Sequence, residues 1–110
     1  MSVSDKAVQA ARRLYRLRRK RDAALPGYFG EPAWDILLDL MIARADSRPR
    51  SISCLCVASN VSSSAALRWI TRLLDDGLIY KTQDPDDGRR TYVELSPHAA
   101  ATLEGLLANN

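Results

Sequence analysis

The chain has 110 residues, of which 46% are hydrophobic and 26% charged, and its formal net charge is +3. This length fits one domain with a modest core and leaves no room for a separate catalytic or ligand-binding domain. The sequence has no glycine-rich phosphate loop, no nucleophile elbow and only one histidine, so these features argue against an enzyme.

Residues 1–25 hold 8 of the 16 lysines and arginines against Asp5 and Asp22, which gives this segment a charge of +6. At helical spacing, the apolar face consists of Ala7, Ala10, Leu14 and Leu17, and the opposite basic face of Arg12, Arg13, Arg16, Arg19 and Lys20. We expect a basic amphipathic helix that docks its apolar side on the domain or on a second subunit and lays its basic side along DNA phosphates. A solvated face and a membrane-surface helix are the alternatives. The membrane alternative is weaker because the apolar side lacks Trp and Phe, and the opening MSVSDK lacks the apolar core of a signal peptide.

A loop is expected at residues 26–30, and Glu31-Pro32 is typical of a helix start. The following helix is apolar nearly all round, through Trp34, Ile36, Leu37, Leu38, Leu40, Met41 and Ile42. We expect it to be the central helix of the core, with Asp35 and Asp39 on its remaining exposed strip. Those aspartates also argue against a membrane span. The linker after it, residues 47–50, is a candidate for a short strand.

Two further helices are predicted from their capping residues. Ser51 is a typical N-cap for a short helix at residues 52–59 with Leu55 turned inward. Asn60 stands where a tight turn between two helices requires a left-handed residue. The pattern predicts the first helix and the turn of a helix-turn-helix.

The second helix of that motif is expected to start after Ser62 and to end before Gly77. Its inward face would carry Ala66, Trp69, Ile70 and Leu73, and its outward face lacks an acid until Asp75. Arginine can donate two hydrogen bonds to guanine, and serine hydroxyls can bond phosphate. The candidate DNA contacts on this helix are Ser62, Ser63, Ser64, Arg68, Thr71 and Arg72. The alternative is an ordinary solvated helix face.

A β-hairpin is predicted from two β-prone segments, residues 78–83 and 90–95, which flank the turn-forming sequence DPDDGR. Arg89 and Arg90 at its tip are candidate contacts with phosphates or with the minor groove. The alternatives are a turn whose charges only keep it soluble and, more weakly, a metal site. An EF-hand type calcium loop requires ligands spread over about twelve residues and a closing glutamate, so we expect no metal and no cofactor.

The last predicted helix has Ser96 as N-cap and Pro97 at its first position. Cys54 and Cys56 would point about 200° apart on one helix, too far for an easy disulfide, and fit a reduced cytoplasmic protein with a redox role as the lesser alternative. His98 is expected at the surface, and the single histidine leaves too few ligands for a zinc site.

Taken in order, five pieces of the sequence resemble the MarR-type winged helix-turn-helix regulators. They are LCVASNVS at residues 55–62, Arg68, LLDDGLI at 73–79, DPDDGRR at 84–90 and VELSPHAAATLE at 93–104. The resemblance implies a homodimer that binds double-stranded DNA. The chain departs from that family in having Asn60 where glycine is usual, and in a last helix of only about a dozen residues where the family uses long terminal helices in its dimer interface.

The predicted fold is therefore mainly α with a small β-hairpin (α+β), a winged helix-turn-helix at residues 31–110 to which the basic helix at 1–25 belongs. The predicted function is sequence-specific DNA binding by a cytoplasmic transcriptional regulator, with the recognition helix in the major groove and the basic wing on the backbone or minor groove. We expect a homodimer formed by the first helix and the Trp34 helix. A small-molecule effector is left open. The alternative function is a protein-interaction module whose acidic patches, 75–76 and 84–87, are docking surfaces.

Overall fold

Five helices and a small antiparallel sheet make up the computed structural model, which describes residues 5–24 and 31–108. In chain order the elements are α1 (Asp5–Ala24), α2 (Pro32–Ala45), β1 (Arg50–Ser51), α3 (Ile52–Ala58), α4 (Ser63–Asp75), β2 (Ile79–Gln83), β3 (Thr91–Leu95) and α5 (Pro97–Ala108). The mainly helical fold with a small sheet is thus confirmed. The loop expected at residues 26–30 lies outside the described residues.

The sheet has the order β1-β3-β2, with both pairs antiparallel. β2 and β3 form the predicted hairpin, in which Ile79 lies opposite Leu95. Arg50 in the linker lies opposite Val93, so the short strand predicted there is confirmed. Ile79, Val93 and Leu95 are buried, and the sheet therefore closes one side of the core.

Capping residues set the boundaries of the helix-turn-helix as the sequence predicted. The Ser51 Oγ accepts a hydrogen bond from the Cys54 N–H at 3.2 Å, and the Ser62 Oγ accepts one from the Ala65 N–H at 3.3 Å. Asn60 between the two helices has a φ of 58°. At the end of α4, Gly77 has a φ of 74°, and the Gly77 and Leu78 amides bond the carbonyls of residues 74 and 73. That pair of bonds is a Schellman motif, which requires a left-handed residue at the glycine.

α2 is the central helix of the core, as predicted, and its Ile36, Leu38 and Met41 are fully buried. The prediction that Asp35 and Asp39 form an exposed strip was wrong. Asp35 is 2% exposed. Asp39 is half-buried, and the Arg50 guanidinium donates to both of its oxygens at 2.9 and 3.2 Å. Both carboxylates face neighbouring elements because arginines from those elements neutralise them.

α1 packs against α2 and α5 through most of the predicted apolar face, Ala7, Ala10 and Leu14, but the buried face is shifted toward Ala11 and Arg18. Ala7, Ala10 and Ala11 are buried as part of the core, whereas Leu17, expected on the apolar side, is 64% exposed. Arg18 is buried in its place. A helical wheel assigns the buried face from apolar residues alone. In the structure, Asp35 on α2 pairs with Arg18 and Arg19, and α1 is therefore rotated so that these arginines face α2.

Three arginines of α1 are ion-paired with acids around α2. The Arg18 Nε donates to the Asp35 Oδ1 at 2.6 Å, and Arg18 also pairs with Glu31. Arg19 pairs with the second oxygen of Asp35. Arg12 bonds the Asp46 Oδ1 at 2.5 Å. The expectation of a basic face turned wholly to DNA was therefore wrong for Arg12 and Arg19, which help to hold α1 on α2.

Candidate nucleic-acid interface

The predicted contact residues of α4 form one exposed surface at the start and middle of the helix. All six side chains are exposed, namely Ser62, Ser63, Ser64, Arg68, Thr71 and Arg72. The opposite side of the helix buries Ala66, Ile70 and Leu73 in the core. The amphipathic division of α4 thus follows the sequence prediction, and contact of these residues with DNA stays a prediction.

The two arginines of this surface differ in how they are held. Arg72 lies with its guanidinium carbon 5.3 Å from the centre of the Trp69 ring and its Nε 3.9 Å from the Asp76 Oδ2. Trp69 packs against the core, as predicted, but is only partly buried, and its ring lies beside Arg72. Within residues 5–24 and 31–108, Arg68 forms neither a hydrogen bond nor an ion pair. Arg68 therefore presents all its donors to solvent.

Ser62 has a structural task as well as an exposed position. Its Oγ caps α4 and lies 3.3 Å from the Ser64 Oγ. The cap stabilises a helix start, where free backbone N–H groups favour an anion such as phosphate. Ser62 thus stabilises the start of α4. The hydroxyl of the next residue, Ser63, is not the capping group.

The tip of the hairpin, which we call the wing tip (residues 84–90), is folded by its own aspartates. Asp84 accepts hydrogen bonds from the Asp86 N–H at 2.8 Å and from the Tyr92 hydroxyl at 3.2 Å. Asp87 accepts both the backbone N–H and the Nε of Arg89 at 3.1 Å. Both carboxylates accept backbone N–H groups two residues further along the chain, which is how aspartate stabilises a turn. This explains why aspartates occur at the wing tip.

Both wing arginines remain at the surface despite these bonds. Arg89 is held by Asp87, and Arg90 lies 3.8 Å from the same carboxylate, measured from Nε to Oδ2. The Arg89 guanidinium donates to both oxygens of the Asp87 carboxylate. Among the described residues, no three acidic, cysteine or histidine side chains come together as a metal-binding group.

The wing tip is expected to keep its fold to a lower pH than ordinary aspartates would allow. The Asp86 amide lowers the pKa of Asp84 below 3.8, and the Arg89 side chain lowers the pKa of Asp87 below the same value. Since both pKa values are depressed, their stabilisation is complete above pH 3.8 and is lost as the pH falls through the lowered values. The amide chemical shifts of Asp86 and Arg89, followed by NMR against pH, measure this directly.

In the same titration, Arg89→Gln should raise the pKa of Asp87 and leave that of Asp84 in place, because among the described residues the Arg89 side chain bonds Asp87 and not Asp84. A midpoint at or above 3.8 for both amides in the unaltered protein would contradict the hydrogen bonds described for the wing tip.

Two contacts that the sequence did not predict join the helix-turn-helix to the helices around it. The Tyr15 hydroxyl on α1 donates to the Ala58 carbonyl at the end of α3, at 3.2 Å. The Asp39–Arg50 pair joins α2 to β1. The partners lie 43 and 11 residues apart along the chain, so no local pattern indicates either contact.

The cysteines and the histidine lie outside α4, on α3 and α5. Cys54 and Cys56 are free thiols on α3, partly exposed, and the Ser51 hydroxyl lowers the pKa of Cys54. His98 is exposed, as predicted. No helix in the described parts of the chain is long and apolar enough to cross a bilayer.

Comparison with known proteins agrees with this architecture. The MarR family model matches residues 45–91. No curated protein matches the chain. A probable transcriptional regulator from Pseudomonas aeruginosa has a solved structure with 31% sequence identity and a TM-score of 0.57, over 92% of this chain and 71% of the other.

Two more distant structures show the same fold. A MarR family transcriptional regulator from Silicibacter pomeroyi is 19% identical with a TM-score of 0.59, over 81% of this chain and 54% of its own length. The transcriptional repressor CouR, solved bound to a 23-mer DNA duplex, is 23% identical with a TM-score of 0.51. The match covers 69% of this chain and 52% of CouR. The chain thus spans about half the length of these two. The family match, the 31% identical structure and the winged helix-turn-helix agree, and the chain belongs to the MarR family of DNA-binding transcriptional regulators.

Proposed function

We propose that this protein regulates transcription by binding a specific operator in double-stranded DNA. One observation carries the proposal: the outward face of α4 presents Arg68, which has no ion pair among residues 5–24 and 31–108, beside small hydroxyl residues. In the major groove, a free guanidinium can donate two hydrogen bonds to one guanine, and small neighbours allow the helix backbone to approach the bases. CouR, which shares the fold, binds a DNA duplex and supports the proposal by analogy.

The proposal divides the contacts between helix and wing. Ser63, Ser64, Arg68 and Thr71 would face base edges or nearby phosphates in the major groove. The wing would place Arg89 or Arg90 on phosphates or in the minor groove, with Asp87 limiting the freedom of both. Arg72 would contact the backbone, since Trp69 and Asp76 hold it to one side.

We propose that residues 1–25 and 31–110 form one domain and that two copies pair through α1 and α5. These helices pack on each other and expose Leu17 and Leu106. α2 is a poorer candidate than the sequence suggested, because its apolar side chains pack in the core. A homodimer would read two half-sites related by its own symmetry.

Light scattering at tens of micromolar should give a mass twice 12.2 kDa. The double change Leu17→Glu and Leu106→Glu should give the monomer mass, because it places like charges on an apolar contact; circular dichroism would check that the variant keeps its helices. A monomeric unaltered protein would remove the dimer from the proposal.

Selection from genomic DNA fragments tests the function itself. The protein is mixed with duplex fragments at near-physiological salt, and the bound fraction is sequenced. An enriched motif with two half-sites would establish operator recognition. Binding that disappears uniformly as salt rises would indicate only nonspecific attraction to phosphate and would contradict the proposal.

The alternative of a protein-docking module has lost part of its basis. Asp84 and Asp87, two of the three acids in one suggested acidic patch, are bonded within the wing tip. Asp75 and Asp76 at the end of α4 remain exposed and are the remaining candidate surface. We further propose a cytoplasmic protein without catalytic activity, in keeping with a family of regulators that act on DNA.

A further inference from the structure

Leu67 is an exposed apolar residue on the same face of α4 as the candidate DNA contacts. Its side chain is 45% exposed. At 100° per residue it falls between Ser63 and Thr71, about 40° from each. It is followed directly by Arg68. Leu67 therefore lies inside the predicted contact surface, among polar residues.

Leu67 does not stand alone, because α3 brings more apolar surface beside it. Val57 on α3 is 82% exposed. Both residues line one shallow groove between α3 and the start of α4, together with Ile52, Cys56, Val61 and two serines, Ser53 and Ser63. The groove therefore combines aliphatic walls with small hydroxyls.

The charge around this groove indicates what lies against it when the protein acts. Arg68 and Arg72 on the same helix are exposed, whereas the acids of α4, Asp75 and Asp76, lie at its far end. An exposed arginine, Arg68, directly after an exposed leucine on α4 suits a ligand that offers both phosphates and a small apolar group. In the major groove of DNA, the apolar group on the base edges is the C5-methyl of thymine.

We propose that Leu67 contacts the C5-methyl group of a thymine in each half-site and so selects T·A pairs beside the base pair that Arg68 contacts. Val57 closes the far side of the groove and keeps water from the methyl group. This inference rests on the proposed function, and it adds an apolar contact to the hydrogen-bonding side chains that set specificity.

The test uses the full chain and the operator obtained by fragment selection. Each thymine is replaced in turn by deoxyuridine, which removes only the methyl group and leaves base pairing intact. We expect one or two positions per half-site at which this change weakens binding about fourfold, the effect of returning one methyl group to water. In Leu67→Ala those penalties should fall to nearly nothing.

Tyr80→Ala is the matched control, because it removes another exposed large side chain, on β2, outside α3, α4 and the wing tip. It should retain every deoxyuridine penalty of the unaltered protein. A scan without any penalty, or penalties of equal size in Leu67→Ala, would overturn the inference while leaving the operator binding intact. Failure to select any operator would overturn this inference together with the proposed function.

Discussion

Asp35→Asn is expected to lower the free energy of unfolding by about 3 to 5 kcal/mol, the range found when one partner of a buried ion pair is removed. The change keeps the shape of the side chain but takes away the charge that Arg18 and Arg19 share. Arg18 is itself buried, and its other partner, Glu31, is largely exposed. Urea denaturation followed by circular dichroism, at one fixed protein concentration, measures the loss.

Asp46→Asn provides the comparison for this stability measurement. Asp46 also pairs with an arginine of α1, Arg12, but both side chains are about one-third exposed. An exposed pair contributes about 1 kcal/mol or less. If both variants lost only about that much, then the buried pairs of Asp35 would not be what holds α1 on α2.

Arg68→Ala is expected to weaken binding to the selected operator by about 1 to 3 kcal/mol, which corresponds to roughly five- to 150-fold. The reason is that the Arg68 guanidinium donates no hydrogen bond within the described residues and can donate two to a guanine. The affinity for unrelated duplex DNA should change far less. Fluorescence anisotropy with the operator and with a scrambled duplex of equal length, at one salt concentration, gives both values.

Arg89→Ala is the matched control for Arg68→Ala, since it removes the same side chain from the wing. A contact with phosphate carries no sequence information, so this variant should weaken the operator and the scrambled duplex alike. An Arg68→Ala protein that binds its operator unchanged would refute the assignment of α4 as the recognition helix.

Where local chemistry decides the structure, the sequence was sufficient. Ser51, Ser62 and Ser96 cap the helices that follow them, and Asn60 and Gly77 take left-handed conformations. Each of these predictions depends on a side chain and the backbone within three or four residues. The helix-turn-helix and the hairpin follow from such signals, and they account for most of the element boundaries.

The orientation of α1 could not be predicted in that way. A helical wheel assigns charged residues to solvent, whereas Arg18 is buried because Asp35, 17 residues away, is buried beside it. A long-range pair of opposite charges leaves no periodic trace in either helix, since each residue alone looks misplaced. Leu17 was assigned to the interior for the same reason and lies outside.

The candidate interface was likewise predicted in outline and missed in part. The exposed positions of Ser63, Ser64, Arg68 and Thr71 follow from helical periodicity. Helical periodicity does not predict which of the two arginines lacks a partner on α4. Arg72 lies beside Trp69 and Asp76 only because of the folded geometry of the helix. A search for polar residues alone also passes over Leu67.

The central claim is that this chain distinguishes one DNA sequence from others, and the ratio of two dissociation constants tests it most directly. The constants are those for the selected operator and for an unrelated duplex of equal length, both at near-physiological salt. We predict that the operator is bound more tightly by on the order of a thousandfold or more. Equal affinity for the two duplexes would contradict the claim and would leave only electrostatic attraction to the DNA backbone.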